Sequence, residues 1–404
     1  MQGILNGLSI VEGSAFIAAP LGGMALAQLG ADVIRFDPIG GGLDYRRWPV
    51  TETNQSLFWA GLNKGKRSIQ VDIGKPEGQE LLTALIARKG EGEGIFLTNF
   101  PERGWLSYEA LKLAREDLIY VSVQGDRRGG SAVDYTVNCA AGFAYATGRE
   151  SDPEPTNHLL PAWDNITGQM AAVAVLAAER HRRLCGDGQL VKLALKDVAL
   201  ATTGHLGNIA EVMVNDVDRA KYGNYLYGGF GRDFVTKDNK RIMIVGLTGR
   251  QWRGLVAATS IAEKVDELAR VHGVDLTAEG ERFKLREALS SLVEPWVRSR
   301  TYVDICSVFD QNGVCYGPYQ TFREMVEQDV DCSVDNPMFE LVNQPGVGRY
   351  LVPSSPIRFV GVPNLGAMLA PSLGGHTTEI LADDLGLSST EIGRLYDAGL
   401  VAGT

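Results

Sequence analysis

The opening third of the chain alternates short β-branched runs with helix-like stretches, and this rhythm restricts the fold more than any other feature. Residues 8–11 form a strand-like run, 21–29 a helical pattern and 33–36 a second strand. The order repeats with 68–71, the helix 78–87 and 94–98, then continues through the helix 108–114 and the strand 118–123. Parallel neighbours need a crossover of a dozen or more residues, usually a helix. The pattern therefore predicts an α/β, Rossmann-like unit with a parallel sheet.

Beyond Pro161 a long helix is predicted over 164–183, because Met170, Ala171, Ala174, Val175 and Ala178 keep helical spacing and the far end is basic. Gly186, Gly188 and a strand over 190–195 follow. A hairpin around Asp238 and Asn239, then helices near 251–259 and 282–298, predict a smaller α+β domain over 225–330. Two domains also suit 404 residues, since one hydrophobic core stops growing well before that length.

Several function classes drop out. With 39 basic against 49 acidic side chains, a nucleic-acid partner would need a local basic patch, and none is legible. The five cysteines are odd in number and contain no CxxC pair, and the five histidines form no HxxxH or HExxH spacing, so a reducing, cytoplasmic setting without a catalytic metal is expected. The longest strongly apolar run, 170–178, is about half a bilayer span, and no basic segment followed by an apolar one opens the chain, so neither a membrane partner nor secretion is expected. No GxSxG elbow is present.

Four places remain. The strand, Gly13, helix, strand and Asp37 outline a dinucleotide fold, but Ala15 and Ala18 replace the glycines that let backbone approach a pyrophosphate. The loop Asn63-Lys64-Gly65-Lys66-Arg67-Ser68 gathers three cations and reads either as a phosphate grip or as a solvated surface loop. The run Tyr227-Gly228-Gly229-Phe230-Gly231 lacks the Lys-Ser or Lys-Thr of a P-loop and reads as a flexible cover or hinge. Asp164, ahead of the long helix, reads first as an N-cap. Trp163 and Gly168 beside it admit a second role, a partly desolvated carboxylate kept ionised by amide donors and able to act as a nucleophile.

The residues then match a family along most of the chain. Leu5-Asn6-Gly7-Leu8-Ser9-Ile10-Val11, Ala19-Pro20 and the run from Leu29-Gly30-Ala31-Asp32 to Arg35-Phe36-Asp37-Pro38 resemble the N-terminal signature of the class III CoA-transferases. So do residues 63–69, Thr98-Asn99-Phe100, Arg103 with residues 106–111, Gly186-Asp187-Gly188-Gln189-Leu190-Val191 and residues 373–381. The resemblance implies a nucleophilic aspartate about 22 residues before the GxGQ turn, which is Asp164. It implies CoA contacts at Ile17, Ala18, Val71, Asp72, Ile73, Asn99, Phe100 and Arg103. Pro38 stands where relatives often carry a basic residue, which leaves Arg35 or Lys66 to compensate. CoA would enter as part of an acyl-CoA substrate, with no tightly bound cofactor and no metal. A large domain over 1–210, completed by a returning segment over 340–404, and an interlocked homodimer are implied as well.

Related racemases place a histidine just before the position of Asp134, where this chain has Ala132 and Val133, and no histidine precedes residue 158. Racemisation needs two bases, so acyl transfer is favoured. Residues 11–16, 40–45 and 223–228 further resemble members that move CoA between the C1 and C4 carboxyls of one bound dicarboxylic acid; transfer between two separate acids is the alternative. Asp134, Tyr135 and Asn138 are then expected to orient the substrate, and Gly228, Gly229 and Gly231 to cover it. A non-catalytic CoA-thioester binder on the same fold is the contrasting expectation.

Overall fold

The computed structural model describes residues 3–403. They fall into two compact units: one comprises the chain up to Ala141, His158–Ala210 and everything from Val330 onward, the other Gly142–Asn157 and Glu211–Asp329. Residues 142–157, expected within 1–210, thus belong to the smaller unit.

The first unit is built on β1 (Ser9–Gly13), α1 (Ala18–Ala27), β2 (Asp32–Asp37), α2 (Leu57–Leu62), β3 (Arg67–Val71), α3 (Pro76–Ile86), β4 (Ile95–Thr98), α4 (Tyr108–Ala114), β5 (Ile119–Gln124) and α5 (Asp134–Ala140). After the short α6 (Phe143–Ala146) of the other unit come α7 (Ala162–Cys185) and β6 (Gln189–Ala194). The strands pair in the order β3-β2-β1-β4-β5-β6, all parallel. The two-residue strand Val401–Ala402 adds an antiparallel edge to β3, so the sheet is mixed at that end.

Alternation along buried strands sends side chains to two separate cores. Ile10, Val33, Leu97 and Val121 face α1 and α7 through Leu26, Ala171 and Val175. Val11, Ile34, Phe96 and Tyr120 face the opposite way, onto Leu82, Leu85, Leu111 and the returning residues Ile380 and Leu381. Arg67 fastens that return by donating to Asp32 at 2.8 Å and to Asp384 at 2.7 Å.

α1 and α7 approach with backbone nearly touching backbone. A Cβ on Gly168 would lie 2.7 Å from the Ala18 carbonyl oxygen, and one on Gly22 would lie 2.9 Å from the Gly168 carbonyl oxygen. Only glycine allows this spacing, which brings the N-terminal part of α7 against the start of α1.

In the second unit Phe230–Val235 and Arg241–Gly246 form the expected hairpin, and Cys315–Pro318 extends it to three antiparallel strands. Phe230, Phe234, Ile242 and Ile244 pack against Trp252, Leu255, Leu289 and Phe309. The helix expected over 282–298 is two, Glu279–Lys284 and Arg286–Arg298. No helix of the described residues is long and apolar enough to cross a membrane.

Candidate active site

The strand order reverses between β1 and β4, the place where open α/β sheets bind ligands, at the carboxyl ends of their strands. Asn99, just past β4, clasps the loop after β1 there: its Oδ1 accepts the Ala15 N–H at 2.9 Å and its Nδ2 donates to the Ala15 carbonyl at 2.7 Å. Phe16 follows with φ of 69°, a left-handed conformation that a bulky residue adopts only when its surroundings impose it. Its N–H donates to Asp44 at 3.0 Å, and the Arg47 guanidinium lies 5.5 Å from its ring.

Asp164 is not an N-cap. Helix α7 begins at Ala162, so Asp164 lies inside the first turn, and the cap comes from another helix. Asp134 Oδ2 accepts the N–H of Trp163 at 2.7 Å and of Asp164 at 3.0 Å, satisfying two donors that a helix start leaves open. One turn further along α5, Asn138 Oδ1 accepts the indole N–H of Trp163 at 3.2 Å. Asp134 and Asn138 are each 2% exposed, and both hold the start of α7. Tyr135 between them is exposed and donates to the Leu159 carbonyl at 3.3 Å.

The Asp164 carboxylate itself accepts no hydrogen bond from the described residues. Burial, then the neighbouring Asp134 charge, pushes its pKa up to about 6, with Arg47 opposing. The expectation that amide donors keep it ionised is therefore overturned: those donors serve Asp134. Asp164 stays mostly ionised at neutral pH, as a desolvated carboxylate with unshared lone pairs, which is the condition for a nucleophile.

His158 is the residue that sequence reasoning missed. Its Nε2 lies 2.6 Å from Asp134 Oδ1, and its ring is T-shaped to Tyr135 at 6.2 Å. Twenty-four residues separate the pair, and no local spacing marks it. The same contact weakens the argument against racemisation, because a histidine reaches this site from after Asp134.

The expected CoA residues divide. Ile17 and Ala18 open α1 at the switch point, Asn99 holds the loop beside them, and Phe100 packs on Phe36 at 6.0 Å. Arg103 is exposed and forms no ion pair among the described residues, which leaves it available to an anion. Val71 pairs with Val401, and the Asp72 N–H donates to Leu400, so the returning segment engages this strand end; Ile73 beyond is half-buried. Arg35 cannot reach a phosphate: it is fully buried, with Asp37, Asp44 and Asn63 as partners at 2.9 to 3.1 Å. Lys66, equally buried, donates to Glu12 at 2.8 Å. Lys64 is buried too, and Arg67 is taken by acids. The basic loop is thus neither a phosphate grip nor a solvated surface.

Gly228 and Gly229 lie in the second unit, immediately ahead of its first strand, which incorporates Phe230 and Gly231. A possible ligand set escaped the sequence reading: His181, Cys185 and Asp187 lie within 4.8 Å of one another, exposed at the far end of α7. At 1.5 Å per residue they are roughly 30 Å along the helix from Asp164, so an ion there would not touch the switch point.

Comparison with known proteins places this geometry. The chain is 60% identical over 404 residues to 2-methylfumaryl-CoA isomerase of Chloroflexus aurantiacus, covering 100% of this chain and 99% of that one. It is 27% identical over 407 residues to succinyl-CoA:mesaconate CoA-transferase of Haloarcula hispanica, covering 96% and 98%. A crystal structure of a CAIB/BAIF family protein from Brucella suis superposes with a TM-score of 0.75 at 25% identity, covering 95% of this chain and 100% of that one. The model of CoA-transferase family III matches residues 5–377, and the chain belongs to that family.

Proposed function

We propose that the protein is an isomerase that moves CoA between the C1 and C4 carboxyls of 2-methylfumaryl-CoA, with Asp164 as nucleophile. The observation that carries this reading is full-length similarity at 60% identity to an enzyme of that name. The unbonded Asp164 at the switch point supports it.

Asp164 attacks the C1 thioester carbonyl; the C–S bond breaks, and CoA thiolate leaves a mixed anhydride. The thiolate attacks the Asp164 carbonyl, releasing 2-methylfumarate and forming an aspartyl thioester. The C4 carboxylate attacks that thioester, thiolate departs again, and its attack on the C4 carbonyl regenerates Asp164. No net proton is gained or lost. Retaining the dicarboxylate gives the second half the advantage of an intramolecular reaction. His158 and Asp134 act through Asp164: His158 Nε2 contacts Asp134 Oδ1, and the Asp134 charge in turn sets how readily Asp164 ionises. Ile17, Ala18 and Asn99 with Arg103 are the proposed CoA contacts, and Gly228 and Gly229 the proposed cover.

The protein is further proposed to act as a homodimer with interlocked chains. Val173 and Leu206 of the first unit are 65 and 62% exposed, apolar side chains that a second copy would bury. Light scattering at assay concentration tests this, and a monomer would remove it.

The decisive assay mixes the protein with 2-methylfumaryl-CoA carrying CoA on C1, in the presence of labelled free 2-methylfumarate. The C4 isomer should form without label. Obligatory label uptake would replace the proposal with transfer between two acids, and solvent-hydrogen exchange on a 2-methylacyl-CoA would point to racemisation.

A further inference from the structure

The second unit carries a cleft that the proposed reaction does not use. Two adjoining hollows, of about 380 and 170 Å³, share Arg149 and Arg232 in their walls. Arg241 lines the larger and Arg286 the smaller. Four guanidinium groups thus converge against two carboxylates, Glu150 and Asp233, in a protein whose net charge is −10.

Most of that positive charge is unanswered. Asp233 is committed to Arg241. The Arg149 side chain is exposed and forms no hydrogen bond or ion pair among the described residues, and neither does that of Glu150. Arg232 donates only to neutral oxygens, the Tyr225 hydroxyl at 3.0 Å and the Asp233 carbonyl at 3.2 Å. Its guanidinium lies 5.1 Å from the Tyr225 ring and 5.3 Å from Phe234, so aromatic faces hold it and most of its five donors stay unspent. Arg286 lies over Tyr222 at 5.0 Å, and its Nε is buried without a partner. Its nearest acid, Glu287, is 3.6 Å away and 73% exposed. Guanidinium groups gathered without counter-charge repel one another, and a bound anion relieves that repulsion while taking paired N–H donors.

We propose that this cleft is a binding site for a small oxyanion, a carboxylate or a phosphate, gripped by Arg149 and Arg232. The larger hollow lies near the low end of pockets for drug-sized ligands, and the smaller one below it. Two sources share this chemistry: a free dicarboxylate, or the phosphates of a CoA nucleotide. The site stands on these side chains alone and does not depend on the role of Asp164.

Calorimetry on the full-length Asp164→Ala protein tests it, with 2-methylfumarate, inorganic phosphate and 3′,5′-ADP as separate probes. At least one should bind, and Arg232→Gln and Arg149→Gln should each weaken it about tenfold or more, the worth of a charge-assisted bond. Arg298→Gln, an equal change of charge on a solvent-exposed helix face, should leave binding unchanged. Sensitivity of 2-methylfumarate alone assigns the cleft to the acid, and sensitivity of 3′,5′-ADP assigns it to the nucleotide. The exposed Arg149 side chain has no partner among the described residues, so its variant reports even where Arg232→Gln disturbs the fold. No binding up to the millimolar range, or binding equally strong in both variants and the control, overturns the proposal. Because calorimetry reads binding and not turnover, neither result bears on the isomerase assay.

Discussion

The first unit contains two buried clusters of charge that solve opposite problems. Around Arg35 and Lys66, the carboxylates of Glu12, Asp37 and Asp44 alternate with cations at 2.8 to 2.9 Å, and Asn63 and Ser14 fill remaining positions. Around Asp164, the only bonded carboxylate is its neighbour Asp134, which takes two amides and His158. Paired charges in the first cluster lock the end of β1 and the loop carrying Phe16. The unpaired charge in the second stays reactive. Position is fixed where it must be rigid, and one carboxylate is left unsatisfied where chemistry is proposed.

Breaking the reactive side should have the largest effect. Asp164→Asn is expected to lower turnover about a thousandfold or more, as loss of a nucleophile does, and a variant with near-normal turnover removes Asp164 from that role. Its stability should move the other way. Because the folded-state pKa of Asp164 is raised, to about 6, its contribution to stability is fully present below the unfolded pKa and is lost as pH rises through 6. The wild type should therefore match the variant near pH 4 and fall about 1–2 kcal/mol below it at pH 8, read from urea unfolding.

Breaking the paired side should do the reverse. Lys66→Met strands Glu12, whose second oxygen already has no partner, and should cost about 3–5 kcal/mol of stability. An unchanged unfolding midpoint would mean that the cluster is dispensable. Smaller is Gly168→Ala. The added methyl meets the Ala18 carbonyl and should cost about 1–3 kcal/mol, more than the roughly 1 kcal/mol that alanine brings to a helix interior. Thermal unfolding and turnover should fall together, since this contact sets the helix that carries Asp164 against α1.

The finest test concerns the coupling. Attack requires ionised Asp164, so kcat/KM should rise with pH through about 6. Asp134→Asn removes the neighbouring negative charge and should move that limb down by about half a pH unit; His158→Gln, which takes the imidazole away from Asp134 Oδ1, should move it the other way. A limb that stays in place in both variants breaks the proposed link from His158 to Asp164.

Much of the architecture was legible because its signals are local. Ile10, Val33 and Val121 sit in short β-branched runs separated by helical patterns, a rhythm that marks buried parallel strands. Asp164 was legible as a candidate, but its surroundings were not. The cap on α7 comes from a residue 30 positions away, and the counterpart of Asp134 comes from a loop. Arg35 and the loop 63–68 misled for the same reason: a cation looks identical in sequence whether it meets solvent, a phosphate or a buried carboxylate.

Sequence by itself determined the parallel sheet, the hairpin unit and the aspartate at the head of a long helix, because periodicity and short motifs depend on neighbours a few residues apart. Only the tertiary structure decided which charges are spent and which are free. Burial and pairing depend on what the fold brings together across the chain, as it does for Glu12 with Lys66 and for Asp134 with His158 and Asp164.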